Sequence, residues 1–113
     1  MKSLIFKYNE LYTYLVKITV DKGEIISITI EKYDKERLIG KLKYSNIEEI
    51  IANMNQVSKI FSLLYDKENN KFLNLVSSLN IHSYGYVIAY RLLNDKLHKE
   101  NIKLQKINNL IKK

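Results

Sequence analysis

Apolar residues recur with one period up to Tyr44 and with another after it, and this single change constrains the fold more than any motif in the chain. Before residue 45 the period is two. Leu4, Phe6 and Tyr8 alternate with Ile5 and Lys7, and Asn9-Glu10 can turn the chain. Tyr12, Tyr14, Val16, Ile18 and Val20 share one strand face, opposite Thr13, Leu15, Lys17 and Thr19. Asp21-Lys22-Gly23-Glu24 predicts a hairpin with a three- or four-residue loop, because Gly23 can take the positive φ that such a loop demands. Ile26, Ile28 and Ile30 continue on the return strand, and Asp34-Lys35-Glu36-Arg37 makes a second polar turn. Leu38, Gly40, Leu42 and Tyr44 form a fourth alternating strand. The pattern predicts an antiparallel meander with one buried face.

After Tyr44 the period is helical. Ser45-Asn46-Ile47-Glu48 reads as a capping box, with the Ser45 hydroxyl accepting from the third helical amide and Glu48 reaching back. Ile47, Ile50, Ile51, Met54, Val57 and Phe61 give the apolar stripe of one helix running into Leu64. Asp66–Asn70 is a polar break. A helix from about Lys71 to Leu79 buries Phe72, Leu75, Val76 and Leu79, and a longer one spans about His82 to Lys99. Residues 101–107 alternate again and predict a short strand. The expected fold class is α+β: a four-stranded antiparallel meander over residues 1–44, then a helical half over 45–113, forming one compact unit with the sheet.

At 113 residues the chain has room for one core. It has no cysteine, which excludes a disulfide framework and thiolate metal sites. No apolar run reaches the roughly 18 residues of a membrane span, and the opening Met1–Lys7 lacks a signal-peptide core, so a cytoplasmic location and no membrane partner are expected. The net charge of +7 favours polyanionic partners. Its distribution is uneven, with six lysines against Glu100 alone in residues 96–113. The excess of Lys, Ile, Asn and Tyr is also what an AT-rich coding sequence produces.

The run from residue 57 to 107 resembles the winged helix-turn-helix module of MarR-, ArsR- and Lrp-like regulators. Ile60-Phe61-Ser62-Leu63-Leu64 matches the end of the first helix of such modules. Leu79-Asn80-Ile81-His82 matches their inter-helix turn, with Asn80 at the position that takes a left-handed conformation. Leu93, Leu97 and Ile102 match the end of a recognition helix, and the stretch after Asn101 falls where the wing would be. The resemblance implies a transcriptional regulator that binds double-stranded DNA and acts as a homodimer. No cofactor is expected.

Turning about 100° per residue, the helix after Asn80 gathers Ile81, Gly85, Ile88, Ala89, Leu92, Leu93 and Leu97 on one side. The other side presents Ser83, Tyr84, Val87, Tyr90, Arg91, Asn94 and His98. Arg91 can fork to a guanine, Asn94 to an adenine, and Val87 can meet a thymine methyl. Ser83, Tyr84 and Tyr90 can donate to phosphates, and Lys99, Lys103 and Lys106 can add a salt-sensitive contact. The same face would serve a protein contact equally well, since Tyr and Arg are enriched in interface hot spots. Hence one alternative is a small viral or mobile-element protein that inhibits or adapts a host protein through a tyrosine-rich surface. A second alternative is single-stranded nucleic acid stacked on Tyr8, Tyr12, Tyr14, Tyr33 and Tyr44 of the sheet, in outline similar to Whirly and coactivator-type single-strand binders. An enzyme is not expected. His82 and His98 are the only histidines, no HExxH pair or glycine-rich phosphate loop exists, and Glu48-Glu49 suit a helix dipole.

Overall fold

The period-two segments form a four-stranded antiparallel sheet in the computed structural model, which describes the backbone of residues 1–111 and the side chains through His98. Strands β1 (Lys2–Asn9), β2 (Thr13–Asp21), β3 (Glu24–Asp34) and β4 (Arg37–Tyr44) pair in chain order, each with the next. Lys22 and Gly23 alone join β2 to β3, both with positive φ (51° and 77°), so the hairpin loop is shorter than the spacing predicts. That two-residue geometry matches the right-handed twist of the flanking strands. Lys35, at φ 58°, is the first of the two residues that join β3 to β4, and Glu36 after it keeps a negative φ.

Two bulges refine the expected alternation. The register slips between Thr19 and Val20, pairing Thr19 with Ser27 but Val20 with Ile25. Ile25 therefore enters the core and Ile26, the expected core residue, stays half-buried. A second slip beside Lys32 pairs Tyr33 with Leu38, which turns Leu38 out to solvent. Each extra residue flips the side chains beyond it, since the strand period is two.

Four helices then cover one sheet face: α1 (Ile47–Ala52), α2 (Met54–Lys67), α3 (Asn69–Ser77) and α4 (Tyr84–Ile111). The cap of α1 is Asn46 rather than Ser45. Its side chain accepts from the Glu49 amide at 3.0 Å, and the Glu49 carboxylate accepts from the Ser45 amide at 2.8 Å. The box is real but sits one residue later than the Ser–Glu spacing suggests. The single helix expected from Ile47 to Leu64 is broken at Asn53, whose side-chain amide donates to the Glu49 carbonyl at 2.7 Å and so caps α1. An asparagine side chain competes well with the next helical hydrogen bond. Residues 101–111 continue α4 as helix, so the short strand expected at 101–107, and with it a wing there, is not formed.

Phe6, Val16, Ile18, Ile25 and Ile28 from the sheet meet Ile50, Val57, Phe61, Leu64, Phe72, Leu75 and Ala89 from the helices in one core. Phe61 and Phe72 lie 5.5 Å apart at a tilt of 60°, and Tyr65 meets Phe72 edge-on, binding α2 to α3 through offset aromatic contacts. The start of α3 also guards the edge strand β1, where the Glu68 carboxylate accepts from the Lys7 amide at 3.3 Å.

Candidate nucleic-acid interface

Two close approaches set the position of α4. The Asn80 amide donates to the Gly23 carbonyl at 2.9 Å, and a Cβ on Gly23 would lie 2.9 Å from that same amide nitrogen. One turn further, a Cβ on Gly85 would lie 2.7 Å from Cδ1 of buried Ile25. Only glycines let the β2–β3 hairpin and the first turn of α4 touch at backbone distance. The helix then packs on β3 and on α2, burying Ile88 and Ala89 as the apolar stripe predicts.

The segment before α4 departs from the predicted turn. Asn80 does not take positive φ; among the described residues only Lys22, Gly23 and Lys35 do. Its Oδ1 instead accepts from the His82 amide at 2.9 Å, and its carbonyl accepts from the Ser83 amide. This side-chain turn does the work that a left-handed residue does elsewhere. Both α3 and α4 lie against α2 and share little contact with each other. Ile81, expected on the buried side, is 64% exposed, and Leu97 is 55% exposed.

Of the residues predicted for the outer face of α4, most are found there together. Tyr84 is 50% and Tyr90 57% exposed, Arg91, Asn94 and His98 are exposed, and Val87 is half-buried. Tyr90 stacks on Tyr86 with ring centroids 6.0 Å apart, which holds its ring against the helix. Arg91 borders a groove of about 370 Å³ between α2 and α4, with Met54, Ser58, Leu92 and Asp95. Ser83 is the exception. It is only 4% exposed, and its hydroxyl accepts from the Tyr86 amide at 3.1 Å as the cap of α4, so its oxygen is committed inward. Lys99, Lys103 and Lys106 lie outside the residues whose side chains are described, although the backbone there belongs to α4.

The sheet tyrosines do not form a shared platform. Tyr8 and Tyr44 are buried on the helix side, and Tyr14 stacks on Tyr8 with centroids 5.0 Å apart and rings 13° from parallel. Burial, then the neighbouring Tyr14 and the Glu10 carboxylate, push the Tyr8 hydroxyl up to about 12. Tyr12 lies outside β1 and β2 with Lys32 Nζ 4.3 Å above its ring. Tyr33 pairs across the open side of the sheet and donates to Glu31 at 3.2 Å; desolvation and then that carboxylate raise its pKa. Tyrosine suits strands because one end is apolar.

The open sheet face carries lysines instead. One cross-strand row runs Lys43, Thr29, Lys17, Ile5, and the next runs Lys41, Glu31, Leu15, Lys7. All four lysines are exposed and none forms an ion pair among the described residues. Lys17, Lys41 and Lys43, together with Glu31, border a shallow depression of about 330 Å³ also lined by Ile5, Leu15 and Thr29. The signal for this patch was the strict alternation itself, in which Lys7 and Lys17 oppose the apolar positions.

Among the described residues no three His, Asp or Glu side chains converge as metal ligands, and no helix is long and apolar enough to cross a membrane. Two surfaces therefore stand out, the outer side of α4 and the lysine-bearing open face of the sheet. The chain matches no protein-family model, and neither a curated protein nor a solved structure matches it.

Proposed function

We propose that the protein binds double-stranded DNA through the outer side of α4, as a transcriptional regulator. The observation that carries this reading is the joint exposure of Tyr84, Tyr90, Arg91 and Asn94 on one side of α4. A helix about 10–12 Å across fits a major groove about 12 Å wide. There the guanidinium and the carboxamide are the two side chains able to pair with base edges bidentately, and the tyrosine hydroxyls can hold phosphates. Reading two half-sites with one such helix each calls for a homodimer, whose mass light scattering would register.

Selection from a random duplex library, followed by anisotropy titration at low and high salt, tests the reading. The pair Arg91→Ala with Asn94→Ala should cost at least about tenfold in affinity for the selected duplex, since one bidentate base contact contributes about 1–3 kcal/mol. The melting temperature should stay unchanged, because both side chains are exposed. Absence of salt-dependent binding at micromolar protein, or an unchanged preference in the double variant, overturns it.

A further inference from the structure

We infer that the open face of the sheet is a second surface for duplex DNA, one that grips the phosphodiester backbone and works independently of α4. The charge distribution points to it. Residues 45–98 hold five Lys or Arg against five Asp or Glu and carry no net charge, while residues 99–113 hold five Lys against Glu100. Residues 1–44 hold nine against six, and four of those nine are Lys7, Lys17, Lys41 and Lys43 on one side of the sheet.

The arrangement is that of a cationic plate. Neighbouring strands lie about 4.8 Å apart and alternate residues along a strand about 7 Å, so Lys17 and Lys43 stand roughly 10 Å apart and Lys41 and Lys43 about 7 Å. Those separations are comparable to the Debye length of about 8–10 Å at ordinary salt, so the ammonium groups still repel one another. Glu31 is the single carboxylate in the two rows, and it accepts from the Tyr33 hydroxyl rather than pairing with a lysine. An anionic occupant relieves this repulsion. A second copy of the same face would intensify it.

Duplex backbone fits better than single strand. Apart from Tyr33, tied to Glu31, the face offers no ring on which unpaired bases could stack. A duplex presents one negative charge per about 1.7 Å of axis and is already rigid, so it loses little conformational freedom on a flat surface. Since the buried side chains of the helices pack on the opposite side of the sheet, the two surfaces can hold separate DNA segments at once.

The test uses the full chain and a short random-sequence duplex. Two exposed pairs are neutralised separately, Lys17→Gln with Lys43→Gln, and Lys7→Gln with Lys41→Gln, and circular dichroism checks that each retains the wild-type fold. Each pair should lower the slope of log affinity against log salt by about two. The loss should be equal in the wild-type chain and in the chain carrying Arg91→Ala and Asn94→Ala. If the α4 pair leaves binding untouched while the sheet pairs weaken it, the α4 reading fails and this one stands. An unchanged slope in both sheet pairs overturns the inference. So does complete loss of duplex binding on changing α4 alone. Tighter binding of the matched single strand, or lysine-dependent binding of phosphatidylserine vesicles without duplex binding, also overturns it.

Discussion

Lys22 occupies a backbone conformation that costs an L-residue about 1–2 kcal/mol. The following Gly23 cannot be traded, because its carbonyl receives the Asn80 amide and its missing Cβ leaves space for that amide. Lys22→Asn, which brings the preferred residue into the first position of this turn, should stabilise the protein by roughly 0.5–1 kcal/mol, and urea unfolding would measure it. Tyr8 makes the opposite kind of demand. Its hydroxyl ionises near 12 in the folded chain and near 10 when unfolded, so the folded state keeps a proton that the unfolded state releases. Stability from this group is complete below about pH 10 and is lost as pH rises through 12. Denaturation midpoints taken across that interval should fall for the wild-type chain and fall less for Tyr8→Phe. A flat profile in the wild-type chain would contradict the burial argument.

At the level of elements, the first turn of α4 is where two local preferences conflict. Helix propensity favours alanine over glycine at position 85 by about 1 kcal/mol. The Cβ would meet Ile25 Cδ1 at 2.7 Å and Cγ1 at 3.0 Å, and Ile25 is buried in the core. Overpacking of that kind costs about 1–3 kcal/mol. Packing wins, so Gly85→Ala should lower the melting temperature by several degrees; a rise would mean that hairpin and helix are less tightly joined than their contact distances state. The start of α1 was legible in sequence to within one residue. Ser45 and Asn46 are both good caps, and the choice between them rests on where β4 releases the chain. The break at Asn53 was not legible. The apolar stripe passes through it unbroken, and only the Asn53 side chain closing on Glu49 ends α1.

For the molecule as a whole, the two surfaces make separate demands on any account of function. The α4 side chains are positioned through Gly23, Asn80, Gly85 and Ile25, a joint between residues about 60 positions apart. The lysine rows are positioned by strand register alone. Because the sheet core separates them, substitutions in one surface should add to those in the other without coupling beyond a few tenths of a kcal/mol. That additivity is a condition of the salt-slope experiment. A strong coupling would mean that one bound segment touches both faces.

What the sequence determined by itself was whatever depends on period and on local turn chemistry. The strands, the sheet order, the helical half and the buried side of α4 at Ile88 and Ala89 all follow from repeats of two and 3.6 residues, which neighbours in the chain enforce without outside help. Tertiary structure decided whatever depends on partners distant in sequence. It set the bulge that exchanges Ile26 for Ile25, and it turned Ser83 inward as a cap. The physical reason is common to these cases. Which of two adjacent residues is buried depends on the shape of the surface that arrives from elsewhere, and no local pattern records that shape.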